Sequence, residues 1–91
     1  MKHAGPGALD RLEPLLRTLR LRGDLKERSR GVFYRGSRAF LHFHEHGAEL
    51  FADLRSGDDF ERLAATKPAE HKALLRCVDA VLADGSGSRR R

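Results

Sequence analysis

Three histidines at alternate positions, His42, His44 and His46, are the residues of this sequence best suited to chemistry. Side chains alternate between the two faces of a β-strand, so His42 and His44 should project together and reach one transition-metal ion. We predict that Glu49 follows a tight turn and lies directly across from His44, with His46 in the turn. We expect no metal cofactor, with histidines that hydrogen-bond to Glu49 or to solvent. The alternative is a zinc-type site of His42, His44, His46 and Glu49.

Three phenylalanines, Phe33, Phe40 and Phe51, form a second candidate site. We predict that they share the sheet face that carries His42. Three neighbouring rings that no helix covers are typical of a protein interface, since monomers rarely expose large apolar patches. We expect a homodimer or a docked protein partner at Phe33, Phe40, Phe51 and His42. The alternative is that the segment 60–66 folds over the rings.

Arginines beside these rings suggest a third possibility, single-stranded nucleic acid whose bases stack on the aromatic face. The candidates are Arg35, Arg38 and Arg55. The net charge of +5 favours this interpretation less than it first suggests, because Arg89, Arg90 and Arg91 carry three of the charges. Acidic residues among the rings also repel phosphate, so nucleic acid is possible but not favoured.

No group of residues predicts catalysis. Cys77 needs a nearby base to act as a nucleophile, and His71 lies six positions away on a different helical face, so we expect a buried thiol. Neither a phosphate-binding glycine loop nor a nucleophile elbow occurs in the sequence. We therefore expect a non-enzymatic binding module.

The stretch 31–54 should position these residues as three strands joined by two tight turns. Gly36-Ser37 suits a two-residue type II′ turn, and His46-Gly47 can form the second. These turns predict Tyr34 opposite Ala39, Phe33 opposite Phe40, and His44 opposite Glu49. One face then carries Val32, Tyr34, Ala39, Leu41, Phe43, Leu50, Ala52 and Leu54. The other carries Phe33, Phe40, His42, His44, Glu49, Phe51 and Asp53.

Two amphipathic helices flank this sheet. Asp10 and Glu13 form a capping-box pattern that predicts the start of the first helix, and Gly23 its end. Pro68 predicts the start of the second helix, which Asp84 and the glycine after it end. The sequence thus predicts a two-layer α+β domain over 1–84, with both helices on one face of an antiparallel meander of three, possibly four, strands.

Other segments should contribute less. We expect the arm 1–7 to be poorly ordered, the polar segment 24–30 to be a connection, and 60–66 to be either an edge strand or a short helical turn. The basic segment 85–91 should be a flexible tail.

The order of these elements, with the turn sequence Gly36-Ser37-Arg38-Ala39-Phe40 followed by Leu41-His42-Phe43, resembles the YjbR/MmcQ group of small bacterial proteins. The resemblance covers residues 9–83 and implies a fold related to that of the frataxin-like CyaY proteins. It implies a DNA-binding or partner-binding role and provides no catalytic residues. This chain is shorter than the typical member and lacks a clear final strand before its last helix.

Composition limits the remaining options. Ninety-one residues, 40% of them hydrophobic and 34% charged, are typical of one small globular domain. The sequence contains neither an apolar run of about 18 residues nor a secretory signal pattern. A single cysteine cannot form an internal disulfide, so we expect a cytoplasmic protein.

Overall fold

The computed structural model describes residues 1–84 and confirms the α+β class, with a larger sheet than predicted. One antiparallel sheet of six strands carries both helices on one face. In chain order the elements are β1 (Lys2–His3), α1 (Pro6–Arg20), β2 (Lys26–Ser29), β3 (Val32–Arg35), β4 (Arg38–His46), β5 (Glu49–Ser56), β6 (Asp59–Ala64) and α2 (Pro68–Ala83).

Five strands lie in sequence order, β2-β3-β4-β5-β6, and β1 completes the sheet by pairing with β4. The short strand β3 covers only the first part of one β4 edge, up to Leu41. Strand β1 occupies the part that remains, with Lys2 opposite Glu45 and His3 opposite His44. The expectation of a poorly ordered arm is therefore wrong for these residues.

Two further strands, β2 and β6, come from the segments 24–30 and 60–66. The predicted connection 24–30 contains β2, whose Lys-Glu-Arg-Ser sequence has the charge that edge strands use to avoid unwanted pairing. The segment 60–66 lies mostly in β6, which confirms the edge-strand alternative. Both edges of the sheet are thus strands rich in charged residues.

Helix α1 begins earlier than its capping-box pattern indicates. Pro6 occupies the first turn, where its missing N–H removes no helical hydrogen bond, and Gly5 is the N-cap. The Gly5 N–H donates to the Glu45 carboxylate of β4 at 2.6 Å. The predicted start at Asp10 is therefore wrong, and Pro14 lies inside the helix on its exposed side. The end at Arg20 also precedes Gly23, whereas α2 spans the predicted residues.

The first hairpin confirms two predicted pairs and then departs from the predicted register. Gly36 takes a φ of +63° in the turn, with Arg35 opposite Arg38 and Tyr34 opposite Ala39. Phe33 then pairs with Leu41, so Phe40 is an extra residue in a β-bulge. The predicted pairing of Phe33 with Phe40 is wrong. Because one added residue exchanges the faces of a strand, Phe33 points toward the helices and Tyr34 away from them.

The second hairpin turns at Gly47-Ala48, one residue later than predicted. His46 pairs with Glu49, and His44 pairs with Phe51, so the predicted pairing of His44 with Glu49 is wrong. The error moves each partner by two residues along β5, and a shift of two keeps every side chain on its predicted face. Leu50, Ala52 and Leu54 are accordingly buried on the helix side.

The core lies between the helices and the inner face of the sheet. Leu12, Leu16 and Leu19 of α1 and Leu74 and Val78 of α2 are fully buried there. Phe33 and Phe40 join this core with 0% and 2% of their surfaces exposed, and Phe43 lies beside them. The predicted outward-facing group of Phe33, Phe40 and Phe51 is therefore wrong, since the bulge puts two of its three rings inside.

The helices are also joined to each other at one end, where Arg22 forms a bidentate ion pair with Asp79 of α2. Neither helix within residues 1–84 is long and apolar enough to cross a membrane. The predicted tail, 85–91, lies outside the described residues.

Candidate functional site

The sheet face opposite the helices, called the outer face below, carries the candidate site. Strand pairing arranges its side chains in rows that run across the strands. One row contains His3, His44 and Phe51, which are neighbours on β1, β4 and β5. The next contains His42, Asp53 and Arg62 on β4, β5 and β6.

Three imidazoles from two strands meet on this face. The possible ligand nitrogens of His3, His42 and His44 all lie within 4.8 Å of one another. The His3 ring stacks on the His44 ring at a centroid distance of 4.8 Å, and the His42 ring meets the same ring edge-on at 5.0 Å. His42 Nδ1 lies 3.1 Å from His44 Nε2. This arrangement is a set of convergent nitrogen donors.

A carboxylate adjoins the three rings. Asp53 Oδ2 lies 3.0 Å from His44 Nε2, and both side chains are largely buried. Arg62 donates two hydrogen bonds to Asp53, at 2.8 Å and 2.9 Å. These hydrogen bonds hold the pKa of the Asp53 carboxyl below its usual range, so Asp53 is ionised at neutral pH.

The surroundings of His42 favour its neutral form. Partial burial lowers the pKa of His42, and the neighbouring His44 lowers it further. The Phe60 ring meets His42 edge-on at 5.0 Å and covers one side of the site. A neutral imidazole is the form that coordinates metal, so the local environment is suited to a ligand.

The structure brings together two of the four predicted metal ligands. His42 and His44 converge as predicted, because alternation along one strand places them on one face. His46 and Glu49 instead pair with each other at the far end of β4 and β5, where both are exposed. Their places beside His42 and His44 are taken by His3 and Asp53.

Sequence reasoning missed these two residues for different reasons. His3 reaches the site only because β1 pairs with β4, and no local pattern in the sequence indicates that long-range pairing. Asp53 was correctly assigned to the outer face, but the misplaced second turn set it opposite Phe40. A turn at Gly47-Ala48 puts Asp53 opposite His42.

The predicted protein interface loses its main support. Within residues 1–84 the outer face has no cluster of phenylalanines, because only Phe51 of the predicted three lies there, half-buried. His42, the fourth predicted interface residue, belongs to the histidine group instead. Self-association and protein partners remain predictions without that aromatic surface.

The predicted nucleic-acid residues are divided between the two faces. The Arg35 guanidinium lies on the helix side, 3.5 Å from the Leu82 carbonyl of α2. Arg38 lies 3.5 Å from the Asp58 carboxylate. Arg55 alone lies on the outer face, with its guanidinium over the Phe60 ring. Cys77 is exposed on α2 rather than buried.

Comparisons with known proteins identify no relative. A scan against protein-family models found no match, and searches of curated proteins and of solved structures found none either. The resemblance to the YjbR/MmcQ group therefore remains an expectation from the sequence. Any function must be argued from the outer face itself.

Proposed function

We propose that this protein binds a divalent transition-metal ion of the zinc type through His3, His42 and His44. The observation that carries the proposal is the convergence of their ring nitrogens within 4.8 Å of one another. Imidazole nitrogen suits zinc, copper and nickel, and three protein ligands are a common donor set for zinc. The proposed role is binding, with no reaction assigned.

The spacing of the donors supports a tetrahedral ion. Zinc–nitrogen bonds of about 2.0–2.1 Å at tetrahedral angles separate two ligand atoms by about 3.3 Å. His42 Nδ1 and His44 Nε2 are 3.1 Å apart, which is close to that separation. One ion can therefore bind both nitrogens with little movement of β4.

Asp53 is our candidate for the fourth ligand. Its Oδ2 atom lies 3.0 Å from His44 Nε2, again close to the separation that two ligands of one ion require. Its other oxygen, Oδ1, accepts a hydrogen bond from Arg62 Nε at 2.8 Å, and Oδ2 accepts one from Arg62 Nη2 at 2.9 Å, which leaves Oδ2 a second lone pair for the ion. Arg62 can thus remain hydrogen-bonded to the carboxylate while Oδ2 binds the ion. Hydrogen bonds of this kind commonly orient metal ligands.

The test is titration calorimetry of the untagged full chain with ZnCl₂, after treatment with EDTA. We expect one ion per chain. His44→Ala should abolish measurable binding, and His3→Ala should weaken it at least tenfold, because each removes a ligand. Protons compete for the same nitrogens, so affinity should also fall as the pH drops below about 6.5.

His46 provides the matched control, because it lies on the same strand and face but outside the three-histidine group. His46→Ala should leave zinc affinity within about twofold of the unmodified protein. The proposal is wrong if the unmodified chain takes up no zinc. It is also wrong if His46→Ala loses as much affinity as His44→Ala, since the ion would then bind surface histidines without a defined site.

A further inference from the structure

We propose that a second part of the outer face binds single-stranded nucleic acid, independently of any metal. The surface consists of alternating cationic and aromatic side chains and is called the cation–aromatic row below. Its members are Lys26, Arg28, Tyr34, Arg55 and Phe60. Only Arg55 was among the arginines that the sequence suggested for this role.

The row crosses the whole sheet at one level. Lys26 of β2 lies opposite Tyr34 of β3, and Tyr34 lies opposite Ala39 of β4. The Arg55 Nε of β5 donates to the Ala39 carbonyl at 2.6 Å, and Arg55 lies opposite Phe60 of β6. With neighbouring strands about 4.8 Å apart, the four steps from β2 to β6 span about 19 Å. The row is thus long enough for several nucleotides.

Each ring in the row already carries a guanidinium. The Arg28 guanidinium lies 4.4 Å from the centre of the Tyr34 ring, and that of Arg55 lies 4.5 Å from the centre of the Phe60 ring. A guanidinium over a ring adds a cation beside a surface on which a base can stack, and its N–H groups that have no protein partner can bind a phosphate. Phe60 is 39% exposed, which is unusual for a large apolar side chain in this protein.

The charge of the row favours a polyanion. Lys26, Arg28 and Arg55 are cationic, and the row itself contains no carboxylate. Two acids lie close by: Asp53 accepts two hydrogen bonds from Arg62, and the Asp58 carboxylate lies 3.5 Å from Arg38, so each has a cationic partner. Arg55 also contacts Asp58, but through the backbone carbonyl at 3.4 Å rather than the carboxylate.

The shape of the row selects single strands over duplexes. Between its two arginine–ring pairs lies Ala39 of β4, whose small side chain does not block a flat base from the sheet. Reading a duplex requires a helix or a two-stranded ribbon that enters a groove, and a broad sheet face cannot enter one. Unstacked bases can instead lie on exposed rings and guanidinium planes.

The experiment is fluorescence anisotropy with fluorescein-labelled 12-mers of uridylate and of thymidylate, using the full chain in buffer containing EDTA. EDTA removes any contribution from the proposed metal site, so failure of one proposal does not affect the other. We expect binding to at least one oligomer that weakens with salt. The double variant Tyr34→Ala/Phe60→Ala should lower affinity at least tenfold.

Two further variants keep the test informative if the double variant folds poorly by circular dichroism. Arg28→Ser removes an exposed cation of the row and should weaken binding and reduce the salt slope by about one. Arg76→Ser removes an exposed cation from α2, on the other side of the sheet, and should leave affinity within about twofold. Equal effects of Arg28→Ser and Arg76→Ser contradict the proposal.

The arginines at 89–91 require their own control. A chain in which all three are replaced by serine should bind more weakly, yet it should still lose at least tenfold on Tyr34→Ala/Phe60→Ala. The proposal is overturned if neither oligomer binds, if a duplex of equal length binds more tightly than both single strands, or if the ring substitutions leave affinity unchanged.

Discussion

At the scale of single residues, Glu13 joins three arginines. Its carboxylate lies 2.7 Å from Arg20, 2.8 Å from Arg30 and 3.5 Å from Arg17. The contact with Arg30 connects α1 to the loop before β3. Hydrogen bonds from Arg20 and Arg30 lower the pKa of Glu13 to about 2. Glu13 was predicted to cap a helix and instead ties that helix to the sheet.

Glu13 should make stability depend on pH in acid. Its pKa in the folded chain is lower than the ordinary 4.5, so its contribution is complete above 4.5 and is lost as the pH falls toward 2. Glu13→Gln should therefore lower the melting temperature by a few degrees at pH 7, measured by circular dichroism. The difference from the unmodified protein should narrow between pH 4.5 and pH 2.

Glu49→Gln is the matched control, because Glu49 is an exposed glutamate at the opposite side of the sheet from α1. This substitution should leave the melting temperature unchanged at pH 7. If Glu13→Gln melts at the same temperature as the unmodified protein at pH 7, the contacts of Glu13 with the arginines do not stabilise the fold.

At the scale of elements, the position of glycine in each turn sets the register of the hairpin. Gly36, Gly47 and Gly57 each occupy the first position of a two-residue turn, with φ values of +63°, +60° and +71°. The predicted turn at Gly36-Ser37 follows this rule, whereas the predicted turn at His46-Gly47 puts glycine second and therefore gives the wrong register. Applied to both turns, the rule predicts the observed pairing of His42 with Asp53. The second-hairpin register was therefore predictable from the sequence.

The bulge at Phe40 was not predictable in the same way. No glycine or proline marks it, and an unbulged hairpin is equally compatible with the turn at Gly36-Ser37. Burial favours the bulged hairpin over the unbulged one, because the bulge puts both Phe33 and Phe40 into the core. The burial of these two rings depends on how the helices cover the sheet. The sequence around Phe40 contains no information about that packing.

Gly31, between β2 and β3, is a fourth glycine with positive φ, at +81°. A Cβ atom there would lie 2.6 Å from Leu9 Cδ2 of α1, a side chain that packs against the core. Gly31→Ala should therefore cost more than the 1–2 kcal/mol or so expected from the left-handed backbone alone. Urea unfolding of the variant measures the cost.

Gly57→Ala separates the two contributions. Gly57 has a similar φ of +71°, but a Cβ atom there would have no neighbour within 4 Å. The loss of unfolding free energy in this variant should therefore come from the left-handed backbone alone. Equal losses of unfolding free energy for Gly31→Ala and Gly57→Ala would mean that Leu9 moves aside freely.

At the scale of the whole molecule, two helices and one sheet leave one face uncovered, and this was predictable from composition and periodicity. The leucine stripes of α1 and α2 pack on the inner face as expected. The outer face was predicted to carry Phe33 and Phe40 beside His42 and His44. It carries the two histidines, as predicted, and has the cation–aromatic row where the two phenylalanines were expected. The difference follows from one inserted residue, since the bulge at Phe40 turns Phe33 inward and Tyr34 outward.

Strand β1 has a consequence for the kinetics of the proposed metal site. His42 and His44 lie on the nine-residue strand β4, which is paired on both edges, whereas His3 lies on the two-residue strand β1, which is paired with β4 alone. Capture of an ion should therefore start on the rigid pair, and its residence time should depend on how often β1 detaches. His3→Ala should accelerate zinc release into a chelator far more than it slows uptake, measured by stopped-flow fluorescence. Equal changes in the two rates would show that β1 is as firmly held as β4.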